Sequence, residues 1–121
     1  MILITTTENF RNDIFVAQEF VREWAYDNGM SPDESEAKLE DELARIIKEI
    51  QKFPLSFASL QNAPFIKRAR CFFDIYAVEY LIKPPSAKTT IDVKECLLGA
   101  LVPLKSNRSQ DINISTEHFE F

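Results

Sequence analysis

Residues 36–82 decide the fold, and they end in the run Cys71-Phe72-Phe73-Asp74-Ile75-Tyr76-Ala77-Val78-Glu79-Tyr80-Leu81-Ile82. Earlier in this stretch, apolar side chains recur every three or four residues, at Leu39, Leu43, Ile46, Ile50 and Phe53, and stop at Pro54. That spacing is typical of one face of a helix, whereas the later alternation is typical of a strand. The basic residues Lys67, Arg68 and Arg70 separate the two patterns and predict a basic turn between them.

The residues before this stretch predict a first strand and a first helix. Residues 2–7 read as a strand that ends at an N-cap, Thr6 or Thr7. The helix that follows has an apolar stripe of Phe10, Ile14, Ala17, Val21 and Trp24, widened by Phe20. Asn28-Gly29 ends this helix, and the capping box Ser31-Pro32-Asp33-Glu34 begins the second, which runs to about Lys52. The short connection predicts an antiparallel helix hairpin.

The residues after the second helix predict the rest of the sheet. Residues 53–64 read as a loop with room for one helical turn at 56–60. In the run that follows, Phe73, Ile75, Ala77 and Leu81 are assigned to one face of a central strand, and Phe72, Tyr76, Val78, Tyr80 and Ile82 to the other. The last strand spans about residues 89–100, with Ile91, Val93 and Leu97 on one face, and Pro103 closes it.

Together these elements predict one α+β domain over residues 1–104. It has two layers in the order β-α-α-β-β-β, with the helix hairpin packed on a mostly antiparallel, curved sheet. Residues 105–121 are polar and are expected to be a C-terminal tail or an added edge strand.

Composition and charge favour some classes of function and disfavour others. The chain has 121 residues and a net charge of −5, which disfavours direct nucleic-acid binding. Residues 1–52 hold six basic and twelve acidic side chains, so a charged protein partner is expected. Two cysteines do not make a disulfide framework, and no segment reads as a signal peptide or a membrane span, so a cytoplasmic protein is expected. His118 is the single histidine, and neither a metal nor a cofactor is expected.

Two groups of side chains are candidates for a partner-binding surface. The first, the basic-aromatic cluster, consists of Lys67, Arg68, Arg70, Tyr76 and Tyr80. Arginine pairs with carboxylates and tyrosine is a common interface anchor, although the same residues also suit a solvated strand end and a core. The second, the acidic face, consists of Glu36, Glu40, Asp41 and Glu42. Acidic side chains near the start of a helix interact favourably with the helix dipole. Acidic residues beyond those that serve this role would bind a basic partner.

The order of these features resembles the ParE/RelE superfamily of small toxins. The matching residues are Phe53-Pro54 at the helix end, Arg68 or Arg70 before the aromatic run, and then Phe73, Ile75, Tyr76, Val78 and Tyr80. The resemblance covers about residues 2–101. It implies a toxin of a bacterial toxin–antitoxin pair, with a cognate antitoxin as a partner.

Within that superfamily the sequence favours the branch that acts by binding a protein, as ParE-like toxins act on DNA gyrase. RelE-like ribonucleases use basic, Tyr or His groups in their final strands, and residues 96–104 here are apolar. An enzyme is therefore disfavoured, and a ribonuclease that works through Arg68, Arg70 and Tyr76 is the least favoured hypothesis. The alternative from another class is an acidic immunity or antitoxin-type inhibitor of a basic nuclease toxin. The oligomeric state and the target are not fixed by the sequence.

Overall fold

The structure, a computed structural model, describes residues 1–104. In that range it contains five strands, two α-helices and one short 3-10 helix. In chain order the strands and α-helices are β1 (Leu3–Thr6), α1 (Glu8–Asp27), α2 (Pro32–Lys52), β2 (Ala58–Leu60), β3 (Ala63–Cys71), β4 (Tyr76–Lys83) and β5 (Glu95–Pro103). The predicted α+β class is confirmed, with one strand more than the sequence indicated. The predicted tail or edge strand at 105–121 lies outside the described residues.

Both helices begin and end where their caps predict. The Thr7 side chain accepts a hydrogen bond from the Phe10 N–H, and Ser31 and Glu34 form the complete capping box. Gly29, which follows the end of α1, has a φ of 71°, a conformation that a residue without Cβ adopts at little cost. The Ser35 hydroxyl donates to the Val21 carbonyl at 2.8 Å and joins the two helices within their interface. The helix hairpin is therefore stabilised by cap hydrogen bonds and an interhelical hydrogen bond, as well as by its apolar stripes.

The five strands form one sheet in the order β1-β5-β4-β3-β2. β1 is parallel to β5, and every other pairing is antiparallel. A register shift between Glu79 and Tyr80 leaves Gly99 on β5 without an opposite residue. Its carbonyl accepts hydrogen bonds from the Thr7 hydroxyl at 2.8 Å and the Asn9 amide at 3.2 Å. The irregularity in β5 thus anchors the start of α1 to the sheet.

The side chains of the sheet divide between two faces. On β4, Tyr76, Val78, Tyr80 and Ile82 belong to the main core together with residues of both helices. The opposite side, which we call the outer face, carries Ile66, Arg68, Ala77, Glu79, Leu81 and Ala100. Ile66 and Leu81 are register partners and form a second, smaller apolar cluster with Ala63. β4 is the middle strand, as predicted, and every residue from Tyr76 to Ile82 is buried.

The predicted basic turn and aromatic strand are corrected by the structure. Lys67, Arg68 and Arg70 lie on β3, not in a turn, and the turn falls instead between Cys71 and Tyr76. Phe72, Phe73 and Asp74 have φ values of 51°, 56° and 60°, which are left-handed and end the strand. Assigning Phe72, Phe73 and Ile75 to strand faces was therefore wrong. The assigned faces of residues 76–82 are confirmed.

Two further predictions are corrected. The expected loop over residues 53–64 contains strand β2, paired with β3, and has no helical turn at 56–60. The last strand begins at Glu95 rather than near residue 89, because Thr90–Asp92 is a short 3-10 helix. Ile91 lies in that helix and is exposed, whereas Val93 is buried in the main core.

Candidate protein-binding surface

The two tyrosines of the basic-aromatic cluster lie in the core. Tyr80 is fully buried, and its hydroxyl donates a 2.6 Å hydrogen bond to the Pro54 carbonyl. That bond fixes the loop after α2 against the sheet. Tyr76 is also buried and packs edge-on against Phe20 of α1, with ring centroids 6.0 Å apart. Burial raises the pKa of both phenols, that of Tyr76 to about 12. Their structural contacts are those of core residues.

The three basic residues have three different environments. Lys67 is buried on the helix side, where its ammonium donates to the Phe57 carbonyl at 3.1 Å and to the Ser59 hydroxyl at 2.8 Å. Burial lowers the pKa of Lys67. Arg68 Nε lies 3.0 Å from Oε2 of Glu79, whose side chain is 0% exposed. Arg70 is exposed. The strand alternation therefore separates the predicted cluster across the two faces of the sheet.

The four residues of the acidic face also differ in their roles. Glu40 and Asp41 are exposed on α2. Glu36 lies 3.6 Å from the Arg22 guanidinium, in a group that also includes Asp33. Glu42 is partly buried, with one carboxylate oxygen 2.9 Å from Lys38 Nζ. The acidic face is thus exposed at its centre and engaged in contacts at its ends.

Glu42 holds the turn that joins β3 to β4. Its Oε1 accepts a hydrogen bond from the Phe72 N–H at 2.8 Å, at the first of the three left-handed residues. Burial acts to raise the pKa of Glu42, but the bonds from Lys38 and Phe72 outweigh it, so that this pKa is lowered. The charged form of Glu42 is therefore favoured in the folded protein, where it positions the aromatic turn beside α1.

The aromatic turn and α1 together form a surface that the sequence analysis did not single out. Phe73 stacks on Trp24 with ring centroids 5.4 Å apart, and the Lys38 ammonium lies 4.9 Å from the centre of the Phe73 ring. Trp24 belongs to a row at four-residue spacing that continues through Phe20 to Val16. We call this surface the α1 patch; it consists of Phe15, Val16, Phe20, Trp24 and Phe73.

The α1 patch is unusually exposed for apolar side chains. Phe15 and Val16 are each 67% exposed, Phe73 is 56% exposed and Phe20 is 45% exposed. Contiguous exposed apolar surface, rich in aromatic rings, is typical of protein–protein interfaces. A signal for it was present in the sequence, because Phe15 and Val16 fall outside the buried stripe of α1. The patch is the best candidate for a binding surface in residues 1–104.

The two thiols have the chemistry of core residues. Cys71 and Cys96 are both free and buried. Burial, followed by the nearby Glu42 carboxylate, raises the pKa of Cys71 to about 12. Burial likewise raises the pKa of Cys96 to about 11, with a smaller contribution from Glu95. Since the thiolate is the nucleophile, both cysteines are held in their unreactive form at neutral pH.

Two further observations concern residues 1–104, and a third concerns the single histidine. Over residues 1–104, no three His, Cys, Asp or Glu side chains come together as metal ligands would. Neither α1 nor α2 has an apolar stretch long enough to cross a bilayer. His118 lies beyond the described residues.

A scan against models of known protein families finds no match, and no curated protein matches the chain.

Proposed function

We propose that this chain is a ParE-like toxin of a bacterial toxin–antitoxin pair, and that it acts in the cytoplasm by binding and inhibiting another protein. DNA gyrase is the type of target that the resemblance suggests. The residue-level support is the order of Phe53-Pro54, Arg68 and the aromatic run. A helix hairpin on a mostly antiparallel sheet is the architecture that this order led us to expect.

The observation that carries the proposal is the exposed α1 patch. Burying Phe15, Val16 and Phe20 against a partner would remove a large apolar area from water, at roughly 25 cal/mol per Å². Aromatic anchors of this kind supply most of the binding energy in protein interfaces. In contrast, Tyr80 and Lys67 of the basic-aromatic cluster are already engaged inside the domain. We therefore assign partner binding to the patch and leave Arg70 as a peripheral contact.

Growth of a bacterium that expresses the full chain tests this function. Induction of the chain alone should arrest growth, and co-expression of the neighbouring gene, the expected antitoxin, should restore it. The purified chain should inhibit supercoiling by gyrase if gyrase is the target. Normal growth at a high intracellular level, together with unchanged supercoiling, would show that the chain is not a ParE-like toxin.

The second candidate is an acidic inhibitor of a basic nuclease toxin. The observation that favours it is the exposed pair Glu40 and Asp41, with the exposed Glu19 and Glu23 on α1 adding further negative charge. Charged surfaces of this kind accelerate association with a partner of opposite charge.

Salt dependence separates the two candidates. An inhibitor that relies on the acidic face should bind a basic protein with an association rate that falls steeply as the salt concentration rises. Binding through the α1 patch should change little over the same range, because apolar burial is not screened. The variant Glu40→Ala with Asp41→Ala should slow association in the first case and leave it unchanged in the second.

A further inference from the structure

A cleft of about 660 Å³ lies where the end of α2, the start of β1 and the 3-10 helix before β5 meet. Apolar and polar side chains line it, among them Ile2, Ile91, Val93, Thr90, Lys52 and Lys94. We call it the lysine cleft. Its volume and its mixture of apolar side chains with a few polar groups are typical of small-molecule sites.

Hydrogen bonds between the elements hold the lysine cleft in place. The Gln51 amide donates to the Ile2 carbonyl at 2.8 Å and joins the end of α2 to the start of β1. The Leu3 N–H donates to the Lys94 carbonyl at 3.0 Å and joins β1 to the residue before β5. The three elements around the cleft are therefore fixed relative to one another by contacts of the folded domain.

The apolar side chains of the lysine cleft offer surface to a ligand. Ile2 and Val93 are buried and form its floor, whereas Ile91 is 86% exposed. An isoleucine so exposed contributes little to the core of the domain. An aliphatic group bound in the cleft would remove part of the Ile91 side chain from water, which is favourable.

The charged side chains that line the cleft are both cationic. Lys52 and Lys94 are exposed, and within residues 1–104 neither forms an ion pair with a carboxylate. The two acids that flank the cleft in the sequence, Asp92 and Glu95, accept hydrogen bonds from threonine hydroxyls. The cleft should therefore attract an anion and repel a cation.

We infer that the lysine cleft binds a small monocarboxylate with an aliphatic chain. The carboxylate pairs with Lys52 and Lys94, and the chain covers Ile91 above the apolar floor. Apolar side chains beside unpaired cations favour this class of ligand over a neutral apolar molecule or a small inorganic anion. The cleft shares no residue with the α1 patch, so the inference does not depend on the proposed function.

An NMR titration of the ¹⁵N-labelled full chain with octanoate, kept below the concentration at which it forms micelles, tests the inference. Octanoate should shift the amide signals of Leu3, Ile91 and Lys94 in a saturable way. Two further probes separate charge from chain: 1-octanol has the chain without the charge, and acetate has the charge without the chain. Each should bind at least about fivefold more weakly than octanoate.

Paired variants test the role of the two lysines. Lys52→Gln with Lys94→Gln should weaken octanoate binding by about fivefold, as expected for the loss of two solvent-exposed ion pairs. The matched control is Lys48→Gln with Lys88→Gln, which removes the same charge from exposed lysines outside the cleft and should leave the affinity unchanged. The ¹⁵N spectrum of each variant also shows whether it is folded.

Several results would overturn the inference. One is the absence of saturable shifts at the cleft, including the case in which octanoate shifts Val16 and Phe20 of the α1 patch instead. Another is 1-octanol or acetate binding as tightly as octanoate. Equal octanoate affinities of the two double variants would likewise show that Lys52 and Lys94 do not bind the carboxylate.

Discussion

Arg68 and Glu79 form an ion pair that links two neighbouring strands of the sheet. The Arg68 Nε and Glu79 Oε2 atoms are 3.0 Å apart, and the two residues are register partners on β3 and β4. Arg68→Ala removes this partner from a fully buried carboxylate. We expect a loss of about 3 kcal/mol in the free energy of unfolding, measured by urea denaturation.

Arg70→Ala provides the matched control for Arg68. Arg70 lies two residues after Arg68 on the same strand but is exposed. Its replacement should therefore lower the free energy of unfolding by less than about 0.5 kcal/mol. Replacing the pair together, as Arg68→Met with Glu79→Leu, should recover most of the lost stability. Equal effects of Arg68→Ala and Arg70→Ala would mean that the pair does not stabilise the sheet.

Glu42 should stabilise the fold in a way that depends on pH. The variant Glu42→Ala removes the acceptor of the Phe72 N–H and should lower the free energy of unfolding by about 2 kcal/mol at pH 7. Glu40 is exposed, so the control Glu40→Ala should lower it by less than about 0.5 kcal/mol. The pKa of Glu42 is lowered from 4.5 in the folded state, so its contribution is complete above that pH. The contribution is lost as the pH falls through the lower, folded-state pKa.

Urea denaturation between pH 7 and pH 3 measures this effect. The difference between wild type and Glu42→Ala should shrink as the solution becomes more acidic. A difference that stays constant over this range would show that the charge of Glu42 does not hold the turn.

At the scale of elements, the turn between β3 and β4 adopts an uncommon backbone. Asp74 has a φ of 60° and an exposed side chain, so its Cβ introduces strain without making core contacts. Asp74→Gly should therefore stabilise the protein by about 0.5 kcal/mol, and Asp74→Val should destabilise it by about 1 kcal/mol. Thermal unfolding of the two variants measures both. A less stable Asp74→Gly protein would show that the aspartate side chain contributes to the turn.

This turn also shows where sequence reasoning succeeded and where it stopped. The helices were predicted to within a residue or two, because Thr7, Gly29 and Ser31 are local signals that act within one turn of chain. The turn at residues 72–74 was missed because two of its three residues, Phe72 and Phe73, are not typical of turns. It is held from outside by Glu42, thirty positions earlier in the sequence. A tertiary contact of that kind leaves no local pattern.

The candidate site was only partly predictable for a related reason. Arg68 and Tyr80 were singled out by residue type, but the type does not say that Tyr80 is fully buried. Nor does it say that Lys67 and Arg68 lie on opposite faces of β3, because the sequence placed them in a turn. The exposure of Phe15 and Val16 could have been found from the helical stripe, since they lie outside it. The stacking of Phe73 on Trp24, in contrast, depends on the tertiary fold.

At the scale of the whole molecule, the domain has two chemically different sides. The helix side presents the α1 patch, where Phe20 and Trp24 connect the exposed surface to Tyr76 and Phe72 of the core. The outer face holds the buried Arg68–Glu79 pair. The proposed toxin activity therefore requires the helix side, and changes to the exposed Arg70 should have little effect on it.

Growth inhibition by three versions of the chain is the most direct test of this central claim. The versions are the wild type, Phe15→Glu with Phe20→Glu, and Arg70→Ala, expressed to equal levels as measured by immunoblot, with circular dichroism of the purified proteins to verify folding. Loss of an aromatic anchor typically costs about 2 kcal/mol, or about 30-fold in affinity. We predict that the wild type and Arg70→Ala arrest growth and that the patch variant does not. Growth arrest by a folded patch variant at the wild-type level would contradict the claim.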